Sequence, residues 1–195
     1  MLQAADILIY KAHFVPVGVD QLPHLELTRE ICRRFDQFYG EVFPEPQPLM
    51  TEYPKLPGTD GRKMSKSYNN TLNLSDSPED ITKKVMQMVT DPARVRRQDP
   101  GNPDVCPLFT LDRIFAPKAW CDHVNIECRR AGIGCVDDKR ELLKHLLAYL
   151  KPIQDRRKEL ASRPEEVSEI IAEGSRRARA VAQKTLAEVT EAMKL

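Results

Sequence analysis

Two lysines and two serines fall within five residues, Lys63-Met64-Ser65-Lys66-Ser67, shortly after the run Gly58-Thr59-Asp60-Gly61. A lysine carries a compact point charge on a flexible stem. Lys63 and Lys66 therefore suit the negative charge that builds on a departing polyphosphate, with the Ser65 and Ser67 hydroxyls as further donors. A solvated basic turn has the same composition, so the meaning of the loop rests on the elements that deliver it.

Upstream, Ala5 to Tyr10 form a short apolar element, and Phe14-Val15-Pro16-Val17-Gly18 reads as a buried strand ending at a glycine. A helix follows, capped by Asp20, with Leu22, Leu25, Ile31, Cys32, Phe35 and Phe38 on one face and Gly40 as its stop. Strand, glycine turn and helix together are the arrangement that binds nucleotides at the strand ends of open α/β sheets, so Gly18, Val19 and Asp20 are candidates for a nucleotide site. An ordinary glycine turn with a capping aspartate has the same residues. A proline-punctuated connection over 41–56, with a short strand predicted at Pro48-Leu49-Met50, leads to the lysine loop.

After Tyr68 the pattern turns helical. Ser77-Pro78-Glu79-Asp80 combines a cap, a proline at the first helical position and acids in the first turn. Helices are predicted over 80–89, 108–115, 116–130, 137–162 and 164–193. The predicted fold class is α/β, a partial Rossmann-like nucleotide-binding portion, followed by an all-α domain. Residues 1–73 form the α/β part, including the loop at 63–67, and 74–162 form a helical domain. Residues 163–195 form a final helix that packs back on the α/β part through Val167, Ile170, Ile171, Ala178, Val181, Leu186 and Val189.

The chain of 195 residues is 41% hydrophobic, enough for a packed core, and no apolar run approaches the length of a membrane span. Thirty basic and 29 acidic residues leave a net charge of +1, so RNA contacts must be local, and no DNA or membrane partner is expected. Five cysteines without a secretory leader point to a reducing, cytoplasmic setting.

Ala4-Ala5-Asp6-Ile7-Leu8, Gly18-Val19-Asp20-Gln21, His24-Leu25-Glu26-Leu27-Thr28-Arg29 and Lys63 to Ser67 occur in this order, and the five-residue string is identical to the class I aminoacyl-tRNA synthetase signature. The chain thereby resembles the bacterial tryptophanyl-tRNA synthetases over essentially its whole length. It resembles only the C-terminal part of their pattern, because the half bearing their histidine-containing ATP signature has no counterpart here.

The resemblance implies an ATP-dependent ligase that forms tryptophanyl-adenylate and passes tryptophan to tRNA(Trp). Mg-ATP would be a substrate and the full-length protein a homodimer, while the chain alone would be inactive. It further implies that Lys63 and Lys66 act on pyrophosphate, and that Gly18, Val19, Asp20, Met64, Ser65 and Ser67 contact ATP. Asp6, Ile7, Val15, Val17 and Gln21 would form the tryptophan pocket. An indole N–H can only donate, so a selective pocket needs an acceptor, and Asp6 supplies a carboxylate. A tyrosine-specific relative and a non-catalytic RNA- or partner-binding fragment are the alternatives. A tyrosine pocket would want an additional tyrosine-like donor, and none is found near Asp6.

Some members of the family hold a [4Fe-4S] cluster on four cysteines, and Cys106, Cys128 and Cys135 follow that pattern with Asp138 in the fourth place. Cys121 is a substitute donor. The favoured reading is no metal, the cysteines being a vestigial set of buried thiols. Arg94-Arg96-Arg97, Arg129-Arg130, Arg156-Arg157-Lys158 and Arg176-Arg177-Arg179 are candidate phosphate contacts for tRNA, those between 91 and 135 foremost because that stretch resembles the anticodon-recognition module.

Overall fold

The computed structural model describes residues 1–51, 53 and 55–195. Glu52 and Pro54, in the proline-punctuated connection, lie outside the described residues. The chain forms two compact units, one of Met1–Pro54 with Arg163–Leu195 and one of Lys55–Ser162.

In the first unit, helix α1 (Leu2–Leu8) precedes strand β1 (Phe14–Pro16), helix α2 (Leu22–Tyr39) and strand β2 (Gln47–Leu49). The two strands are parallel, with Phe14 opposite Gln47 and Pro16 opposite Leu49, so α2 is the crossover of a βαβ unit. Hydrogen bonds from Gln47 N to His13 O (2.8 Å) and from Val17 N to Leu49 O (3.2 Å) extend the pair. Pro16 and Pro48 are tolerated because each strand has one neighbour among the described residues.

The strand predicted over 14–18 forms at Phe14–Pro16 only, and it is not buried. Phe14 is 66% exposed and Leu49 55%, because a two-stranded sheet offers its side chains little cover. The predicted Asp20 cap also differs. Val19–Gln21 form a 3-10 turn, and α2 begins only at Leu22 without a side-chain cap. At the other end Gly40, with φ of +96°, stops α2 in a conformation that favours glycine. The Asp36 carboxylate then accepts Val42 N (3.0 Å) and Phe43 N (3.2 Å), which anchors the following connection to the helix. Arg29 adds a bond from Nε to Glu45 Oε1 of 2.6 Å. The long helix α7 (Pro164–Met193) joins this unit, with Glu188 paired to Lys11. Its Thr185, Leu186 and Val189 line an apolar cavity of about 290 Å³ with residues of α1 and α2.

The second unit holds helices α3 (Pro78–Gln87), α4 (Pro107–Phe115), α5 (Lys118–Arg129) and α6 (Cys135–Ala161). Ser77 caps α3 as predicted, its hydroxyl accepting Asp80 N at 3.0 Å. The far end of α3 is closed by buried Lys139, whose ammonium donates to Met86 O (2.9 Å) and Met88 O (2.5 Å), a cation on the negative end of a helix. Burial holds its pKa below the ordinary lysine value. Ile81, Val85, Leu108, Leu111, Val124, Leu142 and Leu146 from all four helices form the core. No helix among the described residues is long and apolar enough to cross a membrane.

Candidate functional site

The lysine loop is built from a short closed hairpin. Pro57 and Lys63 form an antiparallel bridge, Gly58 N donates to Arg62 O at 2.7 Å, and Met64 N to Leu56 O at 2.9 Å. Gly61, with φ of +80°, turns the chain, and its N–H donates to Gly58 O at 3.0 Å. Asp60 then receives Arg62 twice, from the backbone N at 3.0 Å and Nε at 2.8 Å. The Arg62 guanidinium lies 4.3 Å over the Tyr68 ring.

A residue absent from the sequence reading holds this loop. Asn70 is buried, with 2% of its surface exposed. Its Oδ1 accepts Ser65 N at 2.8 Å, and its Nδ2 donates to Asp60 Oδ1 at 2.7 Å and to Lys63 O at 3.2 Å. Its backbone carbonyl accepts Thr59 N at 3.0 Å. The Asn70 amide, followed by Arg62, holds the Asp60 carboxyl below the usual carboxylate range. A Cβ on Gly58 would lie 2.2 Å from Asn70 Nδ2, so residue 58 must be glycine for the side chain to enter. The only sequence signal for this was the glycine itself.

Ser65 caps a 3-10 turn over Lys66–Tyr68, its hydroxyl accepting Ser67 N at 3.3 Å. Lys63 and Lys66 are exposed, and no hydrogen bond or ion pair engages either ammonium among the described residues. Two free cations thus stand on a frame fixed by backbone bonds and one buried amide. Such a frame can meet a developing anion with little reorganisation. Met64 and Ser65 are half-buried in the loop, and Ser67 is exposed.

The remaining candidates lie in the first unit. On α1, Asp6 is exposed and Ile7 is 8% exposed. Val15 sits in β1 and Val17 immediately after it, both half-buried. Gly18 opens the 3-10 turn that carries Val19, Asp20 and Gln21. Gln21 Nε2 donates to Asp20 Oδ2 at 3.1 Å. A Cβ on Gly18 would lie 2.7 Å from Asp20 Oδ1, so the glycine makes room for that carboxylate; its φ of −79° demands nothing special.

The cysteine region has a different character. Arg94 is buried, and its Nη1 lies 3.6 Å from Cys128 Sγ and 3.7 Å from Cys135 Sγ, while Nη2 donates to Ile133 O (2.6 Å) and Arg97 O (2.9 Å). A guanidinium against two of three thiols, with a carboxylate in the fourth place, does not fit a four-thiolate cluster. Among the described residues no group of three or more His, Cys, Asp or Glu is arranged to hold a metal ion. Cys121 Sγ turns to Ala116 O instead.

Beside the thiols, Asp112 of α4 and Asp138 of α6 are both buried. Burial, and the neighbouring carboxylate, push Asp112 up to about 8; burial pushes Asp138 to about 6 against the opposing effect of Trp120 and Asp112 first and of Arg94 and His123 after them. As carboxylates, both Asp112 oxygens and Asp138 Oδ1 lack a donor. The two neighbouring carboxyls therefore favour holding one proton between them, with Asp112 the more basic of the pair.

A βαβ unit whose first strand runs into a glycine turn, and a helical unit that carries a two-lysine loop, are parts found in class I synthetases. The chain belongs to that class: the family "tRNA synthetases class I (W and Y)" matches residues 1–192. Among its relatives, the tryptophan–tRNA ligase of Aquifex aeolicus is 55% identical over all of this chain and 50% of its own length. That of Thermotoga maritima is 52% identical over all of this chain and 60% of its own. The crystal structure of tryptophanyl-tRNA synthetase from Campylobacter jejuni complexed with ADP and tryptophan superimposes with a TM-score of 0.78 at 32% identity, covering all of this chain and 60% of that one. The chain thus spans half to three-fifths of the length of these relatives.

Proposed function

We propose that this chain belongs to a tryptophan–tRNA ligase, in which the carboxylate of tryptophan attacks the α-phosphate of Mg-ATP. The bond to the bridging oxygen breaks, giving tryptophanyl-adenylate and pyrophosphate. A hydroxyl of the terminal adenosine of tRNA(Trp) then attacks the activated carbonyl, and AMP leaves. The observation that carries this reading is the pair of ammonium groups, Lys63 and Lys66, without a partner among the described residues, on the loop held by Asn70. Little covalent help is needed for such a displacement; neutralising the leaving group is the main contribution.

Lys63 and Lys66 are assigned to pyrophosphate, with Ser65 and Ser67 as phosphate donors and Met64 as packing or an adenine contact. Gly18, Val19 and Asp20 are assigned to the nucleotide. Asp6 is assigned to the indole N–H, with Ile7, Val15, Val17 and Gln21 around the amino acid. The names of the relatives support tryptophan over tyrosine. We further assign the whole protein to the cytoplasm as a homodimer, with the 74–162 helices as its tRNA-reading domain. The domain division at 73 and the docking of 163–195 on the α/β part belong to the same reading.

ATP–pyrophosphate exchange by the whole protein is the test. Tryptophan should support exchange at least a hundredfold better than tyrosine, since a site that hydrogen-bonds one side chain rejects an analogue that cannot present the matching group in the same place. Equal exchange with both amino acids, or none with tryptophan, would overturn the assignment.

A further inference from the structure

The 3-10 turn Lys66–Tyr68, which carries one of the two ammonium groups, has a second support on its outer face. Tyr68, its last residue, lies under the Arg62 guanidinium, 4.3 Å from ring centroid to Cζ. Solvent reaches both partners, with 62% of the Arg62 side chain and 54% of Tyr68 exposed. A lone contact of this kind contributes little, because two mobile side chains must be ordered to make it.

Here only one of them has to be ordered. Asp60 already fixes Arg62, accepting its backbone N–H at 3.0 Å, Nε at 2.8 Å and Nη2 at 2.6 Å. Asp60 in turn accepts Nδ2 of buried Asn70 at 2.7 Å, so the planar guanidinium is set in place before the Tyr68 ring meets it. The circuit closes through the backbone. Tyr68 N donates to Ser65 O and Asn69 N to Lys66 O, each at 3.1 Å, and Asn69, with φ of 52°, takes the left-handed conformation that returns the chain to Asn70. Lys66 thus sits on a turn held from inside by the Asn70 amide, which accepts Ser65 N at 2.8 Å, and from outside by the Arg62–Tyr68 stack. Without the stack, an exposed 3-10 turn with its poorer hydrogen bonds is free to pivot about Ser65.

We propose that Arg62 and Tyr68 are positioning residues for Lys66: their stack straps the 3-10 turn to Asp60 and keeps the Lys66 ammonium where charge develops on the leaving pyrophosphate. Both act through Lys66 and not on the substrate. The part played in the reaction rests on the ligase reading, whereas the strap itself is a property of the loop.

The test has two arms. In the first, amide–water exchange in the full chain is followed by NMR. The Ser67, Tyr68 and Asn69 amides should exchange roughly two- to fivefold faster in Tyr68→Ala and in Arg62→Ala, the range set by loss of an exposed cation–π contact, and at the native rate in Tyr68→Phe, which keeps the ring face. The Gly58, Met64 and Ser65 amides, held by the hairpin and by Asn70, should not change. In the second arm, ATP–pyrophosphate exchange with tryptophan is measured on the whole protein. In Tyr68→Ala kcat should fall by a similar factor with KM for tryptophan unchanged, Tyr68→Phe should restore it, and Tyr68→Ala should add nothing in a Lys66→Ala background.

Faster amides at 67–69 together with a lower kcat that phenylalanine restores support the proposal in full. Faster amides with kcat unchanged, or a loss that persists in the Lys66→Ala background, overturn the positioning role. A loss of kcat equal in Tyr68→Phe and Tyr68→Ala overturns the ring stack as its cause. Amides unmoved in Tyr68→Ala or Arg62→Ala overturn the strap and leave the ligase reading intact. Native protein without tryptophan-dependent exchange overturns the ligase reading and the positioning role with it, while faster amides in the alanine variants still support the strap.

Discussion

Asn70→Ala separates a loop that is merely present from one that is held for chemistry. The substitution removes the bonds to Ser65 N, Asp60 Oδ1 and Lys63 O, at 2.8, 2.7 and 3.2 Å. A neutral hydrogen bond contributes about 1 kcal/mol net and one to a charged acceptor about 1.5–3, for a sum of roughly 4 kcal/mol. Part returns, because the loop is near the surface and water can reach the freed groups. The expected loss is therefore about 2–3 kcal/mol in urea unfolding, small enough for a domain of ordinary stability to remain folded. Losing the frame also loosens Lys63 and Lys66, and misplacement by about 1 Å can reduce a rate roughly a hundredfold. ATP–pyrophosphate exchange by the whole protein should fall about 10- to 100-fold in kcat, with KM for tryptophan nearly unchanged.

Asn70→Asp sharpens the test. It keeps an acceptor for Ser65 N but sets a second carboxylate against Asp60, so it should be worse than alanine near neutral pH and recover partly on acidification as one carboxyl takes a proton. Gly58→Ala, whose new Cβ would meet Asn70 Nδ2 at 2.2 Å, should cost about 1–3 kcal/mol alone and less in the Asn70→Ala background. Stability lost with kinetics intact would make Asn70 a folding residue only. A loss below about 0.5 kcal/mol would refute the hydrogen-bond frame itself.

Other substitutions address the remaining assignments. Lys66→Ala should lower kcat for exchange by about 10²–10³, as loss of a preorganised charge partner does, and an effect confined to KM for ATP would make it a binding residue. Asp6→Asn should raise KM for tryptophan about tenfold with ATP unaffected, and an unchanged KM would remove Asp6 from the pocket. The Asp112–Asp138 pair binds more protons folded than unfolded between about pH 4 and its folded values, about 8 and 6, so its contribution to stability falls as pH rises through that window. Asp112→Asn should flatten the difference and stabilise the chain at pH 8 by roughly 1–3 kcal/mol in urea unfolding; destabilisation there would mean the carboxylate is paired and ionised.

The elements whose signals are local were legible: the Ser77-Pro78 start of α3 and the Gly40 stop of α2 lie within a few residues of what they control, whereas Ile170, Ile171, Val181 and Leu186, expected to pack the last helix, are exposed. Of the candidate site only the residue types were legible: Lys63 to Ser67 suit a polyphosphate, but a solvated basic turn has the same composition. What escaped is what depends on chain return. Gly58 stood out only as part of the run before the lysines, whereas its missing Cβ admits Asn70, twelve positions on, which tightens the loop. Asp20 looked like a helix cap, but α2 starts two residues later, and the carboxylate lies where a Cβ of residue 18 would be. Asp112 carried no signal, since its cost and its partner exist only once α4 packs on α6. In each case a side chain's meaning was set by an atom that sequence spacing does not bring near. The glycines are where that geometry left its trace: Gly18 and Gly58 both mark the space another residue's polar side chain must occupy, so a glycine beside candidate chemistry is a pointer to a missing partner before it is a pointer to flexibility.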